Sequence, residues 1–244
     1  MTYEEGQAIT LRWLADAGIG PGQRVLDVGA GPGSVTALLL EHIGPDGSVV
    51  GLDRDAAFLE QARARHAGRP VVYREVDLAG PLPDDLGTFD AIVGRRVLMY
   101  LPDPVGTLRS LARLLRPGGV VFFQEFVLDD APSALPLHDT VRDWLITMLR
   151  GERASWTMGA ALPGLFAEAG LGWPVMRAEI DVATPGQPDS LVDRIRFVLG
   201  RLAAAGIDPA TIDVETLSAR LHAERAAVGV PWMADRAVAA WARR

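Results

Sequence analysis

At 244 residues, 49% of them hydrophobic and 23% charged, the chain is long enough to bury a sizeable core and has the composition of neither a disordered nor a fibrous protein. Its 24 basic residues are all arginine against 31 acids, and the net charge of −7 disfavours a broad electrostatic footprint on nucleic acid or anionic lipid. With no cysteine, disulfides, thiolate nucleophiles and cysteine metal sites are excluded, and histidines at 42, 66, 138 and 222 are too dispersed to support a metal site. No apolar run is long enough to cross a bilayer, and Met1-Thr2-Tyr3-Glu4-Glu5 lacks the basic-then-apolar order of a signal peptide, so a cytoplasmic location is expected.

In chain order, short apolar runs predict strands near 24–29, 48–53, 71–76, 89–94 and 119–127. Between the first three, Ser34 to Ile43 and Asp55 to Ala67 have helical spacing, with Gly44 and Gly68 as stops. Asp103-Pro104 opens another helix, an acceptor at the N-cap followed by proline in the first turn, which runs to about Leu115 and ends at Arg116-Pro117-Gly118-Gly119. This alternation is that of βα units in a mostly parallel sheet. After Asp129 helices dominate, near 136–150, 159–169, 188–205 and 213–228, around a strand at 174–182. The tail from Trp232 to Arg243 fits either helical spacing or a buried strand, and a strand is favoured. The absence of lysine beside abundant Ala, Gly, Pro and Arg reads as coding bias without mechanistic weight.

The first strand runs into Val25-Leu26-Asp27-Val28-Gly29-Ala30-Gly31-Pro32-Gly33, three glycines at alternate positions before a helix. Such a turn lets backbone approach a ligand closely and presents free amides to a polar or anionic group. The turn alone does not separate nicotinamide enzymes from methyltransferases; the acids that follow do. Asp53 ends the second strand at the distance where nucleotide sites set a carboxylate against ribose hydroxyls, and Asp77 ends the third, where an adenine amine could donate to it. Two acids in this order favour adenosine along the carboxyl edge of the sheet. A nicotinamide enzyme would more typically carry glycine at Ser34 and would not need Asp27.

V-L-D-V-G-A-G-P-G, G-L-D-R-D, V-D-L, F-D-A-I-V-G-R-R-V-L-M-Y-L-P-D-P and L-L-R-P-G-G-V-V-F-F-Q-E-F resemble, in order and spacing, the class I S-adenosylmethionine-dependent methyltransferases over residues 20–127. The ending A-A-W-A-R-R is similar to that family's final strand, though less specific. The resemblance implies an α/β, Rossmann-like, mostly parallel seven-stranded sheet with helices on both faces and a helical elaboration on the substrate side. It implies one methyltransferase domain over 1–244, with the cofactor core at 20–127 and substrate-shaping insertions within 129–230. It also implies S-adenosylmethionine as cofactor and S-adenosylhomocysteine as product. Gly29, Gly31 and Gly33 would wrap the methionine part, Asp53 would hold the ribose hydroxyls, Asp77 with Leu78 would line the adenine pocket, Arg95 would follow the fourth strand beside the cofactor, and Ala30 and Arg54 would be further cofactor-binding residues. Asp27 would order the glycine turn or reach the amino group. Each acid has a plainer competing role as a helix cap or surface residue, and Arg95 and Arg96 as partners of acids.

An oxygen or nitrogen acceptor may be deprotonated by a base, whereas the main demand on the protein is to hold the acceptor close and aligned. The candidate bases are Glu125, His138 and Tyr100, with Tyr3 behind them. Tyr100 stands where many relatives carry histidine before L-x-D-P. Glu125 would sit at the carboxyl end of the sheet, where ligands collect, and is the first choice for a substrate contact. His138 adjoins a stripe of Leu137, Val141, Trp144, Leu145 and Met148, and is read as a helix-surface residue ahead of a substrate-facing base. The segment around Trp156 to Phe166 resembles the substrate side of small-molecule methyltransferases of secondary metabolism and quinone pathways. Trp144, Trp156, Met158 and Phe166 would then furnish an apolar or aromatic acceptor pocket. The expected partner is a small-molecule acceptor, not nucleic acid or membrane, and a homodimer stays open. Two other readings are a non-methylating cyclisation or rearrangement on the same cofactor, which the sequence does not separate from transfer, and a nucleotide-dependent oxidoreductase, which the paired acids disfavour.

Overall fold

The computed structural model describes residues 3–185, 187 and 190–244. Helix α1 (Tyr3–Asp16) leads into β1 (Arg24–Val28), α2 (Ser34–Ile43), β2 (Ser48–Asp53), α3 (Ala56–Arg65), β3 (Val71–Glu75), β4 (Phe89–Arg95), α4 (Pro104–Ala112) and β5 (Leu115–Val127). There follow α5 (Pro136–Gly151), α6 (Met158–Glu168), β6 (Val175–Ala183), α7 (Ser190–Ala204), α8 (Pro209–Ile212), α9 (Val214–Val228) and β7 (Trp232–Arg243). The strands form one seven-stranded sheet in the order β3-β2-β1-β4-β5-β7-β6.

Pairs β1–β2, β1–β4, β2–β3 and β4–β5 are parallel. Strand β1 is central, and Val25 to Val28 are all buried, the acid Asp27 among them, as in a strand covered on both faces. Arg244, after β7, exchanges backbone hydrogen bonds with Gly118 and Gly119 in β5, so the last strand runs back against its neighbour. The strand order reverses between β1 and β4, and in open α/β sheets ligands collect at the carboxyl ends beside such a switch point.

The helix starts follow the expected chemistry. Asp55 caps α3 by accepting from the amides of Ala57 and Phe58, and Asp103 caps α4 by accepting from Gly106 ahead of Pro104. The tail is a strand, as favoured. Three expectations need correction. Helix α1 was not foreseen, although Ile9, Trp13 and Leu14 form its buried side. The short α8 was not foreseen either. Arg116-Pro117-Gly118-Gly119, expected as a turn, is part of β5, where the pairing skips from Phe89 with Leu115 to Ala91 with Val120 and absorbs the extra residues in an irregularity of the ladder.

The chain divides into two compact units. One comprises residues 7–125, 158–177 and 238–244 and holds the parallel strands. Within it Phe122 stacks on Trp241, and Phe123 meets Phe166 edge-on. The other comprises residues 3–6, 126–157 and 178–237 and is mainly helical, with α7 packing on both α5 and α9.

Candidate functional site

The glycine turn leaves the end of β1 with each glycine in a different setting. A Cβ on Gly29 would lie 2.4 Å from Cγ2 of Val97. Gly33, at a φ of +85°, would drive one to 2.7 Å from the His66 ring. Gly31, at +53°, faces open space within 4 Å, which is the room a ligand needs to reach the backbone. Ala30 between them is buried against Leu59, Ala62 and Tyr73, and its amide donates to Leu52.

Asp53 is coupled to that turn. Its Oδ2 accepts from the Gly31 amide at 2.8 Å and its Oδ1 from the Asp55 amide at 2.9 Å, so the carboxylate braces the turn while standing partly exposed at the carboxyl end of β2. Arg54, next in sequence, is exposed. Asp77 lies two residues beyond β3, exposed, with Oδ1 accepting from Ala79 in a local turn; Leu78 beside it is buried, and its carbonyl accepts from the Thr107 hydroxyl.

Asp27 is 1% exposed, in register between Gly51 of β2 and Val93 of β4. Oδ2 accepts from the Thr36 hydroxyl at 2.6 Å, and Oδ1 has no hydrogen-bond partner among the described residues. Burial raises its pKa to about 7, against the Thr36 hydrogen bond and the charge of Arg95, which lower it; Asp53 adds a smaller push upward. Arg95 is held from α1: its Nη1 donates to the Thr10 hydroxyl, which donates to Gln124 of β5.

The three candidate bases stand in different surroundings. Glu125 is buried, and its Oε1 accepts from the amides of Val97 and Leu98 at 2.9 and 2.8 Å. It pins the single helical turn Leu98–Tyr100 that follows β4. Its Oε2 has no partner among the described residues, and burial raises the pKa to about 7 despite the two amides. Arg96, between β4 and this turn, takes a left-handed φ of +58°, with its amide donating to Gln124. Tyr100 is 36% exposed. The side chain of Tyr3 lies outside the described residues.

His138 corrects the sequence expectation that it lies on a helix surface, because it is 0% exposed. Its Nδ1 is 2.6 Å from Glu224 Oε2 and its Nε2 is 3.0 Å from Arg225 Nη1. A guanidinium only donates, so Nε2 accepts and the ring hydrogen sits on Nδ1, facing Glu224. Glu224 also accepts from the amides of Leu137 and His138, and the imidazole lies 5.0 Å from the Trp232 ring. The buried stripe of α5 is therefore His138, Val141, Arg142, Leu145, Ile146, Met148 and Leu149, rotated from the expected one, with Leu137 and Trp144 half-buried. Of the aromatic wall, Phe166 is a core residue against Phe123 and Met158 is buried, while Trp144 and Trp156 are half-buried, the latter under the Arg150 guanidinium.

Sequence reasoning did not single out Thr36, Tyr73 or His66. The signal for Thr36 was a hydroxyl in an otherwise apolar turn of α2; Tyr73 and His66 gave none. Among the described residues no group of histidine and acid side chains is arranged to hold a metal ion, and no helix is long and apolar enough to cross a membrane. A cavity of about 620 Å³ lined by Leu40, Glu41, Gly44, Pro45, Gly68, Arg69 and Pro70 opens where β2 and β3 begin, at the opposite ends of those strands from Asp53 and Asp77.

The site thus suits S-adenosylmethionine: an unpaired buried carboxylate oxygen for an ammonium, an open glycine for close approach, and two strand-end acids for ribose and adenine. Together the fold and this edge define a Rossmann-like methyltransferase domain. Residues 26–121 match the family described as Methyltransferase domain, and the match supports a class I S-adenosylmethionine-dependent methyltransferase. The chain is 38% identical over 105 residues to a ubiquinone biosynthesis O-methyltransferase of Vibrio campbellii, covering 42% of this chain and 43% of that one. It is 38% identical over 137 residues to a trans-aconitate 2-methyltransferase of Azoarcus, covering 56% and 52%. Matches of this kind span about half the length of the curated relatives. Among solved structures, the YcgJ protein of Bacillus subtilis superposes with a TM-score of 0.60 at 14% identity over 99% of both chains. The [4+2]-cyclase SpnF does so with 0.55 at 19% over 100% of this chain and 83% of its own. At these identities the structural likeness concerns the fold.

Proposed function

We propose that the protein is an S-adenosylmethionine-dependent methyltransferase acting on oxygen, nitrogen or carbon of a small hydrophobic or aromatic metabolite by in-line displacement. The observation that carries this reading is the bond from the Gly31 amide to Asp53, which joins the glycine turn to the ribose-side acid in one unit. The cofactor, when bound, supplies a methyl group on a positively charged sulfur. The chain's own task is then to hold both partners aligned and exclude water, from which most of the rate gain in such a step arises. Asp53 would accept from the ribose hydroxyls, Asp77 and Leu78 would border the adenine, and Asp27 with Arg95 would flank the methionine part. The ubiquinone-pathway relatives support an aromatic acceptor; the trans-aconitate relative supports a carboxylate-bearing one. Cyclisation or rearrangement without methyl transfer is not favoured, since the relatives at 38% identity are methyltransferases and the cyclase shares only the fold.

Tyr100 is our choice for a base, because it is 36% exposed while Glu125 is 1% and His138 0% exposed. Glu125 would serve by fixing the turn that carries Tyr100. Acceptor choice would reside within residues 129–230, a place in secondary metabolism fits the quinone-pathway resemblance, and a cytoplasmic location fits the acidic, cysteine-free composition. Incubation with methyl-labelled cofactor and panels of phenols, quinols and small polycarboxylates, followed by mass analysis, tests the reading. Tyr100→Phe should lower turnover by about 10²–10⁴-fold on an oxygen or nitrogen acceptor with cofactor affinity intact. Trp144→Ala should change acceptor KM and leave cofactor affinity unchanged. Labelled cofactor that binds but never yields labelled product, while an acceptor is rearranged, would favour the cyclase reading.

A further inference from the structure

Helix α1 reaches the carboxyl edge of the sheet through one buried side chain. Thr10 is 0% exposed, and its hydroxyl meets two neighbouring strands at once: it accepts from Nη1 of Arg95 at 3.3 Å and donates to Oε1 of Gln124 at 2.8 Å. Arg95 and Gln124 face each other in the β4–β5 register, so the three side chains bridge the final pair of that ladder, and all three belong to the sheet unit. Chemistry fixes the direction of the bridge. A guanidinium only donates, so the Thr10 oxygen accepts from Arg95 and its one hydrogen goes to Gln124, whose carbonyl oxygen can only accept. A buried hydroxyl is costly without such partners, and a valine of the same outline would fill this place in α1 at less cost if packing were the whole requirement.

The guanidinium so held belongs to the same sheet face as Asp27. Asp27 is in register with Val93, and Arg95 lies two residues further along β4, one pleat nearer the carboxyl edge. Side chains in register share a face, and residues two apart on a strand return to it. Val28 pairs with Gly94, so the glycine turn leaves β1 level with Arg95, at the point where the strand order reverses. One face of the switch point thus carries a buried carboxylate whose Oδ1 has no hydrogen-bond partner among the described residues and, a step beyond it, an arginine. An acid and a base in that order beside Gly31 complement an α-amino acid, with its ammonium at Asp27 and its carboxylate at Arg95. An unanchored arginine loses much rotamer freedom when it closes on a ligand, whereas its planar fork recognises a carboxylate best when already oriented. Tying one nitrogen to a helix beforehand removes part of that cost.

We propose that Thr10, with Gln124 behind it, is a positioning residue that holds the Arg95 guanidinium for the carboxylate of the cofactor's methionine part, so that α1 sets affinity for the amino-acid end of the cofactor and not for its adenosine end. The proposal rests on the cofactor reading. Helix α1 lies ahead of residues 26–121, the part of the chain that matches the methyltransferase family, and it becomes a determinant of cofactor binding in its own right.

The test is calorimetric titration with two ligands: S-adenosylhomocysteine, and 5′-methylthioadenosine, which keeps the adenosine and the thioether but has no amino-acid group. Thr10→Val should weaken S-adenosylhomocysteine binding by about fivefold or more and methylthioadenosine binding by less than about twofold, as expected for loss of a hydrogen bond that serves one end of the ligand. Thr10→Ser restores the hydroxyl and should return both affinities to those of wild type. Because Thr10 acts through Arg95, the double variant Thr10→Val/Arg95→Gln should bind S-adenosylhomocysteine no more weakly than Arg95→Gln alone. Should Thr10→Val not melt cooperatively, Gln124→Met, which removes the acceptor of the hydroxyl, carries the same comparison. Equal weakening of both ligands would make Thr10 a packing residue, and additive losses in the double variant would make it independent of Arg95; either result overturns the proposal. So would an Arg95→Gln variant that binds S-adenosylhomocysteine as wild type does. If wild-type protein bound neither ligand, the cofactor reading itself would fail, whereas equal affinity of wild type for the two ligands would sink the proposal alone.

Discussion

Two buried polar clusters, one in each compact unit, are built from similar parts and end differently. In the helical unit His138 meets Glu224 and Arg225 at its two ring nitrogens, and Glu224 takes two backbone amides as well. In the sheet unit Asp27 accepts from Thr36 and His66 meets the Tyr73 phenol, and Asp27 Oδ1 and His66 Nε2 are each left without a partner among the described residues. Burying a polar group without a partner costs roughly 1–3 kcal/mol, so a fold that leaves two of them must gain elsewhere or be completed by a ligand. The closed cluster reads as architecture and the open one as a place awaiting a charged guest. Burial alone does not separate the two; the nature of the loose end does, a carboxylate oxygen at Asp27 against a neutral indole N–H at Trp232 beside His138.

The largest effect that would sharpen this contrast is on cofactor binding. Asp53→Ala removes an ionised acceptor and the brace on Gly31, and should weaken S-adenosylhomocysteine binding by about 1.5–3 kcal/mol in a protein that still melts cooperatively. Unchanged affinity in calorimetry would leave Asp53 as a turn-bracing residue only. Next, His138→Ala should lower stability by about 1–3 kcal/mol in denaturant titration, because Glu224 and Arg225 lose a buried partner, with the affinity of the folded fraction unaltered. A turnover loss without a stability loss would instead restore His138 as a base and break the contrast.

The smallest effect concerns pH. Asp27 and Glu125 have folded-state pKa values raised to about 7. A carboxyl raised on folding binds more protons in the folded than in the unfolded state, so its contribution to stability is complete below its unfolded value and is lost as pH rises from about 4 to about 7. Cofactor-free protein should therefore melt lower at pH 8 than at pH 5 to the extent these groups dominate. Asp27→Asn should flatten part of that slope, and identical slopes in the variant and wild type would show that Asp27 is ionised at low cost.

Much of the carboxyl edge of the sheet could be read from sequence because its parts are local or fixed in spacing. Asp27 and the glycines lie in nine consecutive residues, and Asp53 ends and Asp77 follows a strand that periodicity already marks. Boundaries of α2 and β2 matched for the same reason. The Thr36–Asp27 and His66–Tyr73 pairs were hidden because no spacing rule links a helix hydroxyl to a strand acid or an imidazole to a phenol seven positions on. His138 was misplaced because periodicity finds apolar stripes and is blind to an imidazole whose partners lie 86 and 87 positions away. Helix α1 is a different failure, since its Trp13 and Leu14 were visible but stood among Glu, Gln, Arg and Asp. Glu125 was correctly expected at the end of its strand, yet that its Oε1 would be taken up by two main-chain amides depends on a turn whose conformation no spacing rule describes.

That same turn is entered through Arg96, whose left-handed backbone is unfavourable for a residue bearing a Cβ by about 1–2 kcal/mol. For an engineer this position offers a way to separate backbone from charge. Arg96→Asn keeps a residue type that tolerates the left-handed region while deleting the guanidinium, and Arg96→Gly relaxes the backbone fully. A variant library at this one codon would then rank thermal robustness against catalytic tempo, because the mainspring held by Glu125 is wound at Arg96.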